Sequence, residues 1–290
     1  SAGADPGPAC YGLGGREPTV TDANLVLGHL DPAVPLAGGV RLDAQAAQAA
    51  VAALARTIAM DVRECAQGIR RIACAEMAGA LRVVTVNRGV DPRRYALMAF
   101  GGAGPLHATD IADELGIDRI LVPRASGVLA ALGLVVSPQR RDVQRSVLLS
   151  GEQLTPEAIG RHVEELTERA TRELGAEPAA VAVLHEVRYR GQSFELPVSA
   201  APAELREAFE AEHEARYGYR DPALDLELVT IRVSARLEAP CVSLPEFEFS
   251  RREKITGPSV VRLPESTLVV APWWEGTIDP GGTIDLRRTS

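Results

Sequence analysis

From residue 61 to about 86, hydrophobic positions recur at helical spacing (Val62, Cys65, Ala66, Ile69, Ile72, Ala73, Met77, Ala80 and Leu81), which predicts a long, half-buried helix. Upstream, Thr21-Asp22 offers capping chemistry for a short helix through Leu30, and Asp43 does the same for an alanine-rich helix reaching about Ala59. Downstream the period changes. An apolar run over 95–100 leads into paired glycines, a helix over 105–115 and a second apolar run over 119–122. That order of strand, loop, helix and strand requires a right-handed crossover and a parallel sheet, and a ligand at the carboxyl end of such strands is the geometric default. Residues 126–136 contain no charge, which predicts a small helix buried against the sheet.

The polar run Gln139-Arg-Arg-Asp-Val-Gln-Arg145 places a boundary near Ser137-Pro138. Beyond it the pattern predicts a charged amphipathic helix over 156–174, strands over 182–190 and 193–198, a helix over 203–216 and a strand over 226–237. The last forty residues read as short strands and turns. The expected architecture is therefore an α/β domain over 1–138 followed by an α+β domain over 139–290.

Composition narrows the function classes. Hydrophobic residues make up 46% and charged residues 24%, values that favour neither disorder nor membrane residence. No apolar run approaches the ~18 residues of a spanning helix, and no basic segment followed by an apolar core opens the chain as a secretory signal would. A net charge of −8 without a basic stripe argues against nucleic-acid binding. Cys10, Cys65, Cys74 and Cys241 lack C-x-x-C spacing, so reduced thiols are expected. His29, His162, His185 and His213 show no metal-ligand spacing with one another or with carboxylates, and no metal site is assigned.

The segment with the clearest chemistry is Tyr95-Ala-Leu-Met-Ala-Phe-Gly-Gly-Ala-Gly-Pro-Leu-His107. Gly101, Gly102 and Gly104 let the backbone approach a flat ligand, and Pro105 suits a first helical turn. The N–H groups there would face an anion or a ribose. His107, just inside the helix, has two readings: a neutral hydrogen-bonding group near a ligand, or a packing histidine. Glu76 and Arg82 could reach a base or ribose, or simply form a solvated helix face. Arg188-Tyr-Arg-Gly-Gln-Ser193 suits either carboxylate binding or a hairpin with Tyr189 turned inward. Tyr217-Gly-Tyr219 and Trp273-Trp274 read as anchors between domains. Asp279-Pro-Gly-Gly-Thr283 fits a phosphate hairpin by its letters but has the dipeptide chemistry of an ordinary turn.

Several unusual stretches together resemble the hydantoinase A / 5-oxoprolinase family: Ser1-Ala-Gly-Ala-Asp-Pro-Gly-Pro-Ala-Cys-Tyr-Gly12, Glu17-Pro-Thr-Val-Thr-Asp-Ala-Asn24, Arg88-Gly-Val-Asp-Pro-Arg93, Phe100 to His107, Gly127-Val-Leu-Ala-Ala-Leu-Gly133, Arg188 to Ser193 and Arg216-Tyr-Gly-Tyr219. The resemblance implies a cytoplasmic, ATP-dependent enzyme with an actin-like (sugar kinase/Hsp70) nucleotide fold. Such enzymes open cyclic amides or, in relatives, carboxylate ketones. It further implies ATP, with Mg in the intact protein, and a hydantoinase B-type partner; the alternative reading is a non-catalytic assembly module in which residues from about 139 onward dock that partner. Gly101, Gly102, Ala103 and Gly104 would touch adenosine, and Cys10, Asp22 and His107 would lie near the substrate cleft.

Family members are more than twice as long and carry Asp-x-Gly-Gly-Thr phosphate hairpins before the point matching residue 1. The chain is therefore expected to be their C-terminal portion and inactive alone. Apolar faces left uncovered would favour a homo-oligomer.

Overall fold

The structure, a computed structural model, describes residues 3–242 and 254–289. Ser1 and Ala2 of the first matched stretch, and 251–253 and Ser290 of the expected C-terminal strands, lie outside the described residues. The described residues form two compact units, one from Gly3 to Leu134 together with 254–289, the other from Val135 to Val242.

The first unit begins with helices α1 (Val20–Val26), α2 (Ala44–Thr57) and α3 (Val62–Val84). Asp43 caps α2 as the sequence predicts, and Asp61 caps α3, each accepting from two backbone N–H groups of the first turn. The cap of α1 is Thr19, not Thr21-Asp22. Asp22 is the third helical residue and completes a capping box, its carboxylate accepting from Thr19 N at 2.8 Å. Strand β1 (Leu97–Met98), helix α4 (Gly104–Leu115) and strand β2 (Arg119–Val122) follow, with β1 and β2 parallel and Leu97 opposite Ile120. The strand expected over 95–100 shrinks to two residues because Tyr95 closes a turn onto Pro92 O and Gly101 turns the chain at φ 82°. Helix α5 (Leu129–Val136) has no buried residue, and Leu134 is 79% exposed. Its expected burial ends at Ser126, the last residue of that apolar run held in the interior.

The second unit contains β3 (Arg140–Ser150), α6 (Pro156–Leu174), β4 (Ala180–Tyr189), β5 (Leu196–Val198), α7 (Leu205–Tyr217) and β6 (Leu226–Arg236). Its four strands form an antiparallel sheet in the order β3-β6-β4-β5. Ile159 and Leu166 of α6 and Phe209 of α7 join Val187, Leu228 and Ile231 of the sheet in one core. Strand β3 is the element that periodicity misses. It is an edge strand in which Val143 is the one buried residue, and its charges suit an edge that must refuse further pairing.

The chain then returns to the first unit through β7 (Lys254–Thr256), β8 (Ser259–Leu263), β9 (Ser266–Val270), β10 (Trp274–Ile278) and β11 (Ile284–Arg288). Strand β11 pairs antiparallel with β2, giving a mixed sheet in the order β1-β2-β11-β10-β7. A purely parallel sheet and an uninterrupted 139–290 segment are both expected from the sequence. The structure differs because β2 has one free edge after pairing with β1, and β11 fills it. Arg119 and Asp285 reinforce this pairing with two hydrogen bonds at 3.0 and 2.7 Å. Trp274 is buried here and donates to Asp113 at 3.2 Å, so it anchors this unit internally, whereas Trp273 is exposed. Asp279-Pro-Gly-Gly-Thr283 closes the β10–β11 hairpin, with Thr283 N donating to Asp279 Oδ1 at 2.9 Å. It is a turn.

Leu286 on β11 is fully buried between β10 and β2. Leu286→Ala is expected to destabilise the first unit by about 3 kcal/mol. Amide hydrogen exchange should then accelerate more in β2 and β10 than in β6. A larger change in β6 would contradict the placement of the C-terminal strands.

Candidate functional site

The turn from β1 into α4 sets the floor of a cavity of about 600 Å³. Gly101 occupies the left-handed region, and its N–H donates to Ser126 O at 2.7 Å. Gly102 faces open space, since a Cβ there would meet no atom within 4 Å. Pro105 sits in the first turn of α4, whose N-cap, Ala103, has no side-chain cap. The opening N–H groups of α4 thus lack the side-chain acceptor that α1, α2 and α3 possess. Of the predicted nucleotide residues, Gly102 and Ala103 line the cavity while Gly101 and Gly104 shape the turn behind them.

The walls come from distant parts of the chain. Val20, Thr21 and Asn24 of α1 form one side, residues 28–36 another, and residues 260–267 of the β8–β9 hairpin the third. Leu106 and His107 complete the floor. Apolar and hydrogen-bonding groups are mixed, and the volume suits a small organic ligand.

Beneath the floor lies a polar network that sequence spacing misses. Arg70 of α3 is buried, forms an ion pair with Asp110 at 2.5 Å, and donates to Leu106 O at 2.9 Å and Asn24 Oδ1 at 3.2 Å. His29 Nδ1 lies 3.1 Å from Asn24 Oδ1 and 3.3 Å from the same guanidinium. His107 Nδ1 lies 3.4 Å from Cys74 Sγ. Burial, with the Arg70 charge next in effect, lowers both histidines to about 4, so each ring is neutral at ordinary pH. Burial pushes the Cys74 thiol up to about 11. Cys74, His107 and Asp110 are therefore neighbours without being an activated nucleophile. The missed signal was the column Ala66, Arg70, Cys74 and Ala78 at i, i+4 spacing, all buried, while Ile72 of the expected stripe is exposed.

The other predicted residues separate. Asp22 is fully buried and accepts from Cys10 N at 2.8 Å, Ala9 N at 3.3 Å, Thr19 N at 2.8 Å and Thr19 Oγ1 at 2.7 Å. Its two oxygens are committed to holding residues 9–10 against α1. Burial, together with a hydrogen bond to Asp22, pushes the Cys10 thiol up to about 12. Neither residue lines the cavity, although neighbouring Tyr11 does. Glu76 is exposed, and Arg82 pairs with Glu114 at 2.9 Å. Arg188 pairs with Glu227 at 2.6 Å, and Tyr189 is buried with its hydroxyl accepting from Asp221 N at 2.8 Å, which is the hairpin reading. Tyr217 and Tyr219 pack on His213 within the second unit. Among the described residues no group of three or more His, Cys, Asp or Glu side chains is arranged to hold a metal ion. Among them, too, no helix is long and apolar enough to cross a membrane.

A family model described as Hydantoinase/oxoprolinase matches residues 1–143. An uncharacterised protein of Methanocaldococcus jannaschii is 38% identical over 99% of this chain and 47% of its own length. The caprolactamase alpha subunit of Pseudomonas jessenii is 32% identical over 99% of this chain and 48% of its own. The acetophenone carboxylase gamma subunit of Aromatoleum aromaticum is 40% identical over 46% of this chain and 18% of its own. The solved structure of nucleotide-free acetone carboxylase superposes with a TM-score of 0.83 at 21% identity, covering 97% of this chain and 48% of that one. That of the ATP-dependent caprolactamase from Pseudomonas jessenii has a TM-score of 0.66 at 30% identity, covering 100% of this chain and 49% of that one. The mixed α/β fold is thus shared with both. The chain spans about half the length of the curated relatives that it matches end to end.

The neutral histidines and protonated thiols give stability a sign at each end of the pH scale. His29 and His107 have folded values near 4 against an ordinary 6.5, so their contribution is complete above about 6.5 and is lost as pH falls toward 4. Cys10 and Cys74, near 12 and 11 against 9.0, contribute fully below about 9 and lose it as pH rises. Thermal unfolding is expected to show a plateau between these limits. The double variant His29→Gln, His107→Gln should flatten the slope between pH 6.5 and 4. An acid limb of undiminished slope in that variant would contradict the assignment.

Proposed function

Because the chain belongs to the hydantoinase/oxoprolinase family, we propose that it supplies the adenosine wall of an ATP-dependent enzyme that opens small cyclic amides. The observation that carries this reading is the open Gly102-Ala103 turn at the floor of a cavity of about 600 Å³, beside the first turn of α4, which has no side-chain cap. A backbone without side chains admits a flat base, and N–H groups at a helix start complement ribose hydroxyls or phosphate. Gly101 and Gly104 hold the turn, and Gly102 and Ala103 meet the ligand. The finer architecture we propose is the actin-like nucleotide fold, of which β1, α4 and β2 form the strand–loop–helix–strand part.

ATP, when bound, supplies the phosphoryl group that makes an amide carbonyl electrophilic. The residues of this chain bind and orient. His107 is neutral, so it serves as a hydrogen-bonding group in the floor rather than as a cation. Asn24 stiffens the α1 wall, its amide being engaged by Val20 O, His29 and Arg70. Cys10 and Asp22 act by position, holding the segment that brings Tyr11 to the cavity. A hydantoinase B-type subunit and a cytoplasmic setting belong to the same proposal, as does self-association through the exposed apolar side chains of α5.

One observation favours a second reading. The acetophenone carboxylase gamma subunit is 40% identical over 134 residues, a stretch about as long as the family match. In that reading the same turn serves an enzyme that activates a ketone for carboxylation. Product analysis with a cyclic amide, and separately with a ketone plus bicarbonate, tells the two apart in the intact enzyme.

Calorimetric titration of the chain with ADP and ATP is expected to show binding that weakens at least about tenfold in Gly102→Val, the cost of blocking a contact surface worth ~1.4 kcal/mol or more. Equal affinity in both forms would contradict a nucleotide at this turn, and no binding by either would remove the observation's support.

A further inference from the structure

We propose that Ser126 and Gly127 are positioning residues that couple the β8–β9 hairpin to the glycine turn and so set the width of the cavity. The inference rests on that cavity being the ligand site proposed above. The Ser126 carbonyl accepts the Gly101 N–H at 2.7 Å, the bond that closes the turn carrying Gly102. The Ser126 hydroxyl lies 2.9 Å from that of Ser266, at the start of β9, and Ser126 is 1% exposed. At Gly127 the contact is closer still. A Cβ there would stand 2.5 Å from Glu265 O and would collide with Glu265 Cβ, so only glycine lets the hairpin turn seat against this segment.

The hairpin is fixed at two other places. Thr109 Oγ1 of α4 donates to Val269 O at 3.2 Å, and Arg262 of β8 forms an ion pair with Asp31 at the cavity wall. At the turn of residues 263–267 the tie runs through the Ser126 hydroxyl and the close seat of Glu265 on Gly127. Its distance from the glycine turn is therefore set by two adjacent residues, Ser126, which touches both, and Gly127, on which Glu265 sits. A methyl group at 127 must displace Glu265 backbone by roughly 1 Å to restore ordinary contact. That shift moves a cavity wall and pulls on the carbonyl that holds Gly101.

Amide hydrogen exchange of the 290-residue chain without ligand tests the coupling. Gly127→Ala is expected to raise exchange about tenfold at the Gly101 amide together with residues 263–267, while β2 keeps its protection as a sign of intact folding. Ser266→Ala, which adds no bulk, is expected to give the same paired change at smaller size, and it decides the matter if Gly127→Ala loses β2 protection. A change confined to 263–267 in both variants overturns the coupling. ADP titration of the same proteins is read separately. A wild-type chain that binds no ADP overturns the site reading alone, whereas wild-type binding that weakens about tenfold in Gly127→Ala supports both, and unchanged ADP affinity in that variant overturns the claim that these residues set the cavity's width.

Discussion

An arginine can enter a protein interior only if its charge and its N–H groups find partners there, and Arg70 is the point where this chain meets that demand. It rises from the middle of α3 and is satisfied by the α4 carboxylate of Asp110, the α4 carbonyl of Leu106 and the α1 amide of Asn24. Three helices are thereby fixed around one cation. Removing any partner would leave a buried charge or donor unsatisfied, so the arrangement tolerates little drift. The cavity floor at Leu106 and His107 belongs to the same α4 turns that Arg70 holds, and its precision is inherited from this network. Burial, and after it the Arg70 charge, keeps His29 and His107 neutral, which decides the chemistry they can offer: hydrogen bonding, not charge.

The walls depend on the return of the chain. Strands β10 and β11 complete the sheet that begins with β1 and β2, and that pairing brings the β8–β9 hairpin to the rim of the cavity. A site whose floor is made by residues near 100 and whose wall is made by residues near 265 cannot form before the sheet closes. Fold and site are therefore linked through β11. The glycine at 127 records the same fact in sequence, because its missing side chain makes room for a backbone that arrives more than a hundred residues later.

Much of this was legible in the sequence. The cap at Asp43, the strand–loop–helix–strand order around Gly101–Gly104, and the turn at Asp279-Pro-Gly-Gly-Thr283 follow from local chemistry, and the structure contains each. The illegible parts were set by tertiary context. Arg70 reads as a surface cation until its column of Ala66, Cys74 and Ala78 is recognised. Asp22 resembles a cap or a cleft carboxylate, yet its partners at Ala9 and Cys10 are specified only when the preceding loop folds back. Strand β3 hides behind charges that protect an edge. Helix α5 reads as buried because its composition is apolar, but composition cannot say which surface will cover it.

The most direct test of the central claim is photochemical. Irradiation of the chain with an azido-adenine nucleotide, followed by mapping of the labelled peptides, reports where the base sits. Label on peptides containing 102–107 or 260–267 is the predicted result, since those residues form the floor and the hairpin wall. Label confined to the second unit, or to the turn at 279–283, would contradict the assignment of the cavity as the nucleotide site.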